Sequence, residues 1–198
     1  MADAKVTPTP TVSRVTADTL IELVYDADRR KTALVVSRFG GLWNIKDAVT
    51  IESGEVLVPY AASNNLVLNE CVVLPSKPAE YGFKQDLIGD VRAFLRRYVD
   101  LSTPFEDVAA HYILLTWVYD RFGELPYLRL RGDYGTGKTR ALLVIGTLCN
   151  KAFFASGAST ASPMFDALDA FGGTLGLDEA DLPYSVAGAE LVKVLNNG

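Results

Sequence analysis

The chain has few of the residues that bind transition metals or form disulfides. Its 198 residues include two cysteines, Cys71 and Cys149, and one histidine, His111. Two cysteines and one histidine without ligand spacing cannot supply the four ligands of a structural zinc site. The cysteines lie in dissimilar segments, so we expect reduced thiols rather than a disulfide. Because no nucleophile or ligand set accompanies His111, we expect that residue to have a structural role.

The sequence also lacks a signal peptide and any apolar run of membrane-spanning length, which is about 20 residues. We therefore expect a cytoplasmic protein without a membrane partner. The net charge of −5 argues against a general nucleic-acid coat. All eleven arginines lie at or before Arg140. Four basic residues fall on one predicted helix and either contact DNA or form a solvated helix face: Lys84, Arg92, Arg96 and Arg97.

What the sequence does contain is a glycine-rich motif, GDYGTGKT, at residues 132–139. Glycines reach backbone angles closed to other residues, so the loop can turn its N–H groups inward around an anion. Lys138 would supply a positive charge to the β- and γ-phosphates of a nucleotide, and Thr139 a hydroxyl ligand for Mg²⁺. The alternative is a glycine-rich turn without a ligand. The predicted nucleotide-binding residues are Gly132, Asp133, Tyr134, Gly135, Thr136, Gly137, Lys138, Thr139 and Arg140.

The segments on either side of the motif predict a strand at 127–131 and a helix at 139–148. A second motif, TLGLDE at 174–179, reads as a short buried strand that ends in two carboxylates. Asp178 would hold Mg²⁺ together with Thr139, and Glu179 would polarise a water for attack on the γ-phosphate. The alternative is that both carboxylates open a surface loop. Between the motifs, the pattern predicts a strand at 151–156 and a helix that begins at Ser162-Pro163.

The rest of the chain predicts three further regions. Residues 1–18 are polar and contain proline, which predicts a disordered tail. Residues 19–76 predict a small β-rich module of five short strands, the last of them LVLNECVVL. Residues 84–123 predict a helical lead-in of two helices, the second running from Thr103 to about Phe122. The predicted ATPase domain spans 84–198.

The run from about 104 to 198 resembles the P-loop ATPase domains of phage- and mobile-element-associated primase–helicase proteins, within the AAA+ class. The resemblance is carried by GDYGTGKTR, by GAST at 157–160, by TLGLDEAD and by AELVKVLNNG. It implies ATP and Mg²⁺ as cofactors, DNA as a partner, a homo-oligomeric ring, and hydrolysis coupled to DNA unwinding or replication. It also implies an α/β fold with a three-layer core and a mainly parallel sheet.

The sequence departs from this family in one respect, because no arginine follows Arg140. The family's arginine finger and polar sensor are absent, so we expect either a C-terminally incomplete domain, which we favour, or a degenerate ATPase, with weak activity alone. A nucleotide-gated ATPase or switch that remodels a protein partner is the alternative function. A small-molecule phosphotransferase is less favoured, since nothing resembles a substrate lid.

Overall fold

The computed structural model describes residues 7–38, 41–156 and 161–178. The chain divides into two compact units, residues 1–79 and residues 80–198. None of the helices in the described ranges is long and apolar enough to cross a membrane.

The N-terminal unit contains two sheets. One is antiparallel with the order β2-β3-β4-β5, and the other has the order β1-β7-β6, in which β1 and β7 run parallel. The elements are β1 (Thr9–Thr11), β2 (Ser13–Val15), β3 (Thr19–Asp26), β4 (Lys31–Arg38), β5 (Trp43–Lys46), β6 (Val49–Thr50), β7 (Val56–Pro59) and the short helix α1 (Asn65–Leu68).

The β3–β4 hairpin carries much of the core of this unit. The Asp26 carboxylate accepts a hydrogen bond from the Arg29 backbone N–H at 3.0 Å, which stabilises the turn between the strands. Ile21, Leu23 and Leu34 are fully buried along the hairpin. Each buried side chain of this size contributes about 1.5–3 kcal/mol, so the hairpin accounts for much of the stability of the unit.

Two predictions for the N-terminal region are wrong. Part of the predicted tail is ordered, because β1 and β2 lie within residues 1–18 and pair with β7 and β3. The predicted fifth strand, LVLNECVVL, begins instead as α1. The Asn64 side chain accepts a hydrogen bond from the Leu66 N–H at 2.9 Å, and this capping favours the helix over an extended chain.

The C-terminal unit combines helices with one parallel strand pair. The elements are α2 (Lys84–Tyr98), α3 (Thr103–Thr116), a 3-10 turn (Tyr119–Arg121), α4 (Lys138–Leu148), β8 (Phe153–Ser156), α5 (Ala161–Phe171) and β9 (Leu175–Asp178). The helices α2, α3 and α4 pack against one another, and α4 also packs against β9. The helix α5 connects β8 to β9, which lie side by side in parallel.

The predicted fold class, an α/β three-layer P-loop core with a mainly parallel sheet, is wrong for the structure described. The only parallel pairing in the described part of the C-terminal unit is β8 with β9, and the other sheets are antiparallel or mixed. Residues 127–131, predicted as a strand, have no regular secondary structure. A strand is stabilised by the ladder of hydrogen bonds to its neighbour. No described strand pairs with residues 127–131, so this segment stays irregular.

Three local predictions in this unit are confirmed, and one is wrong. The strand predicted at 151–156 is β8, the helix predicted from Ser162 is α5, and the strand of the second motif is β9. The helix predicted from Thr103 does not run to Phe122, because α3 ends at Thr116. There the Thr116 hydroxyl donates to the Ile113 carbonyl at 2.7 Å and accepts from the Asn150 N–H at 3.0 Å, which ties the end of α3 to the end of α4.

Candidate phosphate-binding site

The loop at 132–139 depends on two glycines in the left-handed backbone region. Gly135 has a φ of +77° and Gly137 a φ of +82°, angles that other residues adopt only with strain. Gly137 is the N-cap of α4, and its carbonyl accepts a hydrogen bond from the Ala141 N–H at 2.9 Å. The chain therefore turns sharply at the loop and enters α4 at Lys138.

The first half of the loop closes on itself. The Thr136 hydroxyl donates a hydrogen bond to the Asp133 carbonyl at 2.8 Å. The same hydroxyl oxygen would lie 2.8 Å from a Cβ atom added at Gly132. Real Cβ contacts are essentially never this short, so a larger residue at position 132 would force the Thr136 hydroxyl to move.

The side chain of Lys138 lies across the loop. Its Nζ donates to the carbonyl oxygens of Gly132 and Asp133, at 2.8 Å and 2.6 Å. Backbone carbonyls are neutral acceptors, and hydrogen bonds between charged partners are about twice as strong. A phosphate bound at the loop would therefore compete effectively with these two carbonyls for hydrogen bonds from Lys138 Nζ. Tyr134, Thr139 and Arg140 are exposed around this position.

The loop forms one wall of an open cleft of about 960 Å³. Residues from the end of α2 and the connection to α3 also line it. Ligand pockets in proteins have volumes of about 300–1,000 Å³, so the cleft is large enough for a nucleotide. Of the described residues that line the cleft, two are acidic, Asp100 and Glu106, and five are basic: Arg96, Arg97, Arg131, Lys138 and Arg140. In a chain of net charge −5, the cleft is locally positive and suited to an anion.

Helix α4 packs against the strand pair that ends at Asp178. A Cβ atom at Gly146 would collide with the ring of Phe154, and one at Gly176 would lie 3.6 Å from Leu142 Cδ1. Position 146 in α4 therefore lies beside β8, and position 142 lies beside Gly176 of β9. Phe154 and Gly176 are themselves register partners.

The C-terminus of α4 leads into β8 through residues 149–152. Asp178 is the last residue of β9 and pairs in register with Ser156 at the end of β8. Thr139 is in the first turn of α4.

The side chains of Thr139 and Asp178 suit a Mg²⁺ ion that is bound mainly through water and phosphate, rather than one enclosed by protein ligands. In the described ranges, no group of three or more His, Cys, Asp or Glu side chains could hold a metal ion. Mg²⁺ usually keeps several waters and binds through one or two protein oxygens plus substrate phosphates. Thr139 and Asp178 supply oxygen ligands of that kind, so the residues present fit the ion.

The rear end of α4 is fixed by contacts with α3. The Trp117 indole Nε1 donates to the Leu148 carbonyl at 2.9 Å, which satisfies one of the last carbonyls of the helix. Burial raises the pKa of the Cys149 thiol to about 11, against an ordinary value of 9.0, although a hydrogen bond with Thr116 lowers it. Burial also raises the pKa of Tyr112, and the nearby Cys149 adds to this effect. These contacts hold α4, and with it the loop, in place.

Sequence reasoning missed the acidic partner of the basic residues on α2. Glu106 lies in the first turn of α3, and its carboxylate contacts Arg92 and Arg96. The two arginines are four residues apart and therefore share one face of α2. That spacing was the available signal that both could meet one carboxylate. The other predicted role, DNA contact, needs these side chains to face solvent.

Three predicted residues lie outside the described ranges. They are Glu179, the predicted base, and Ser159 and Thr160 of the GAST segment. Their roles stay predictions from the sequence. His111, predicted to be structural, is exposed on α3 with its Nδ1 2.7 Å from the Asp107 carbonyl oxygen.

No family model, curated protein or solved structure matches this chain. Function is therefore inferred from the loop, the cleft and Asp178. The resemblance to primase–helicase ATPases stays a prediction carried by short motifs.

Proposed function

We propose that this chain binds a magnesium–nucleoside triphosphate, with ATP as the nucleotide, and hydrolyses it. The observation that carries the proposal is the placement of Lys138. Lys138 is the first residue of α4, and its side chain lies across a loop in which two glycines have left-handed backbone angles. It also lines a cleft with four other basic side chains. A structural turn would need none of these features together.

The residues of the chain divide the work as follows. Lys138 binds the β- and γ-phosphate oxygens in place of its two backbone carbonyls. The N–H groups of the loop and of the first turn of α4 bind the same anion, aided by the helix dipole. Thr139 and Asp178 would hold Mg²⁺, which neutralises charge on the phosphates when bound. Glu179 follows Asp178 directly and is the sequence-predicted base for the attacking water.

The process coupled to hydrolysis is a separate question. The resemblance implies DNA unwinding or replication by a ring of identical subunits, and we retain this as a proposal. One observation favours the alternative, a nucleotide-gated ATPase that remodels a protein partner. Arg92 pairs with Glu106 and Asp107, and Arg96 pairs with Glu106, so two of the four basic residues on α2 are engaged by carboxylates. The cytoplasm is the proposed compartment, supported by two cysteines that are both free thiols.

A nucleotide titration tests the proposal. Wild type, Lys138→Ala and Lys84→Ala are titrated with a fluorescent ATP analogue and Mg²⁺, and phosphate release is followed in the same samples. Hydrogen bonds to charged groups contribute about 1.5–3 kcal/mol, so Lys138→Ala should weaken binding by about 10- to 150-fold. Lys84, an exposed lysine at the start of α2, is the matched control and should leave the affinity unchanged. Absence of binding by wild type, or equal affinity of the Lys138 variant, would refute the proposal.

The coupled process is tested with a labelled single-stranded oligonucleotide. Its fluorescence anisotropy is measured with wild type at low and at physiological salt, with and without ATP and Mg²⁺. Binding that weakens steeply with salt supports a nucleic-acid motor, because phosphate contacts release counterions. Absence of binding at low salt supports the protein-remodelling alternative.

A further inference from the structure

Glu106 and Arg96 line the cleft together with residues of the phosphate-binding loop. The Glu106 carboxylate is 6% exposed, although it is charged. Its Oε2 accepts a hydrogen bond from Arg96 Nε at 2.8 Å, and its Oε1 lies 3.5 Å from Arg92 Nε. Arg92 also pairs with Asp107. Two helices thus meet through a buried carboxylate held by two guanidinium groups.

The two arginines have different surroundings. The Arg92 side chain is 32% exposed and contacts two carboxylates. The Arg96 side chain is 63% exposed and lines the cleft together with Lys138. A buried carboxylate needs a partner, because an unpaired buried charge is strongly unfavourable. Glu106 therefore restrains Arg96 by its Nε, and the hydrogen bond raises the pKa of Arg96.

The geometry of a guanidinium group decides what remains available. It has five N–H donors in a rigid plane, and one of them is on Nε. With Nε bonded to Glu106, the two terminal nitrogens of Arg96 are at the outer edge of the group. That edge matches two oxygens of a phosphate. Since Glu106 limits the rotation of the side chain, less entropy is lost when these nitrogens bind a ligand.

We propose that Arg96, which lines the same cleft as Lys138, binds the polyphosphate of the nucleotide, and that Glu106 is the residue that positions it. This inference rests on the proposed function, because the ligand is the same nucleotide. It adds a cation from α2, within the same chain, to the one that Lys138 supplies from the loop. Residues of α2 and of the loop then bind the same phosphates.

The test uses two ligands, Mg-ATP and inorganic tripolyphosphate with Mg²⁺, titrated by calorimetry into the whole chain. Arg96→Ala should weaken both by about tenfold or more, as expected for the loss of one charged hydrogen bond. The matched control is Arg121→Ala. Its side chain is 60% exposed and is also paired through Nε, with Asp120, but it does not line the cleft. This control should leave both affinities unchanged.

Two further variants separate a positioning role from a structural one. Glu106→Gln removes the buried charge, and Arg96→Ala combined with Glu106→Gln leaves no unpaired carboxylate, so the double variant is expected to fold. Relative to Glu106→Gln, the double variant should bind tripolyphosphate more weakly and with a smaller dependence on ionic strength, because a charge has been lost. Glu106→Gln itself should lower tripolyphosphate affinity by a few-fold. Arg121→Ala added to the Glu106→Gln chain should cause no further change in that affinity.

The outcomes distinguish this inference from the proposed function. If wild type binds both ligands, Lys138→Ala abolishes binding and Arg96→Ala binds normally, the inference is overturned and the proposed function stands. If Arg96→Ala weakens ATP and leaves tripolyphosphate unchanged, Arg96 contacts the nucleoside, and the inference is again overturned. If wild type binds neither ligand, both fail. Parallel losses for both ligands support it.

Discussion

The two compact units of this chain use their residues in opposite ways. The N-terminal unit buries large apolar side chains along the β3–β4 hairpin, with Ile21, Leu23 and Leu34 inaccessible to solvent. The C-terminal unit has a cleft lined by arginines, a lysine and glycines. Burial of apolar surface stabilises a fold but offers nothing to a polar ligand. Exposed basic side chains and glycines with left-handed backbone angles contribute little to the stability of a fold, but they are suited to binding an anion.

The difference between the units indicates that a ligand binds in the C-terminal unit. The N-terminal unit has the features of a packing module, and the candidate site residues of the described ranges all lie in the C-terminal unit. Because each unit contains one tryptophan, Trp43 and Trp117, their stabilities can be measured separately. The following predictions use that arrangement.

The largest expected effect is on the stability of the N-terminal unit. Leu34→Ala removes a fully buried side chain from β4 and should lower the free energy of unfolding of this unit by about 2–5 kcal/mol. The measurement is urea unfolding followed by Trp43 fluorescence in a Trp117→Phe background. Nucleotide affinity in native buffer should not change. A change in that affinity would contradict the division of roles between the units.

A smaller effect is expected in the C-terminal unit at high pH. Burial raises the pKa of Cys149 to about 11 in the folded chain, from an ordinary value of 9.0. The unfolded thiol ionises first as pH rises. This contribution to stability is therefore complete below pH 9 and is lost as pH rises toward 11, by about 2–3 kcal/mol at most.

Unfolding of this unit is followed by Trp117 fluorescence in a Trp43→Phe background, at pH 8, 9, 10 and 11. Cys149→Ala should remove most of the loss between pH 9 and 10. Tyr112 faces the thiol and also has a raised pKa, so part of the loss above pH 10 should remain in the variant. An unchanged pH profile after the substitution would show that the buried thiol is not its source.

The smallest effect compares two glycines, one from each unit. Gly54, in the turn before β7, has a φ of +83°, and Gly135, in the phosphate-binding loop, has a φ of +77°. A Cβ atom at either position would meet nothing within 4 Å. Alanine at either position should therefore lower the free energy of unfolding of its unit by about 1–2 kcal/mol, through backbone strain alone. The stability of each unit is measured as above.

Only Gly135→Ala should also weaken binding of the fluorescent ATP analogue, because the loop must keep its N–H groups directed at the phosphates. Gly54→Ala should bind nucleotide as wild type does. Equal affinity of both variants would mean that the backbone of the loop does not contribute to binding.

Much of the local structure could be predicted because it is determined by neighbouring residues. The helix after the loop, the strand β8, the helix α5 and the strand β9 follow from short patterns of apolar residues, caps and glycines. The candidate loop was recognised for the same reason, since its glycines, lysine and threonine are consecutive. Strands that depend on distant partners were predicted poorly. β1 was missed because its partner is β7, and residues 127–131 were assigned to a strand that has no described partner.

The sequence by itself determined the chemistry offered to a ligand, that is, glycines at the turn, Lys138 at the start of a helix and Asp178 at the end of a strand. Only the tertiary structure decided which side chains share a space. It brought Glu106 to the arginines of α2, placed Arg96 in the cleft with Lys138 and packed α4 against β9. The physical reason is range. Backbone angles and caps depend on the nearest residues, whereas a buried ion pair or a cleft forms between segments that meet only when the chain is folded.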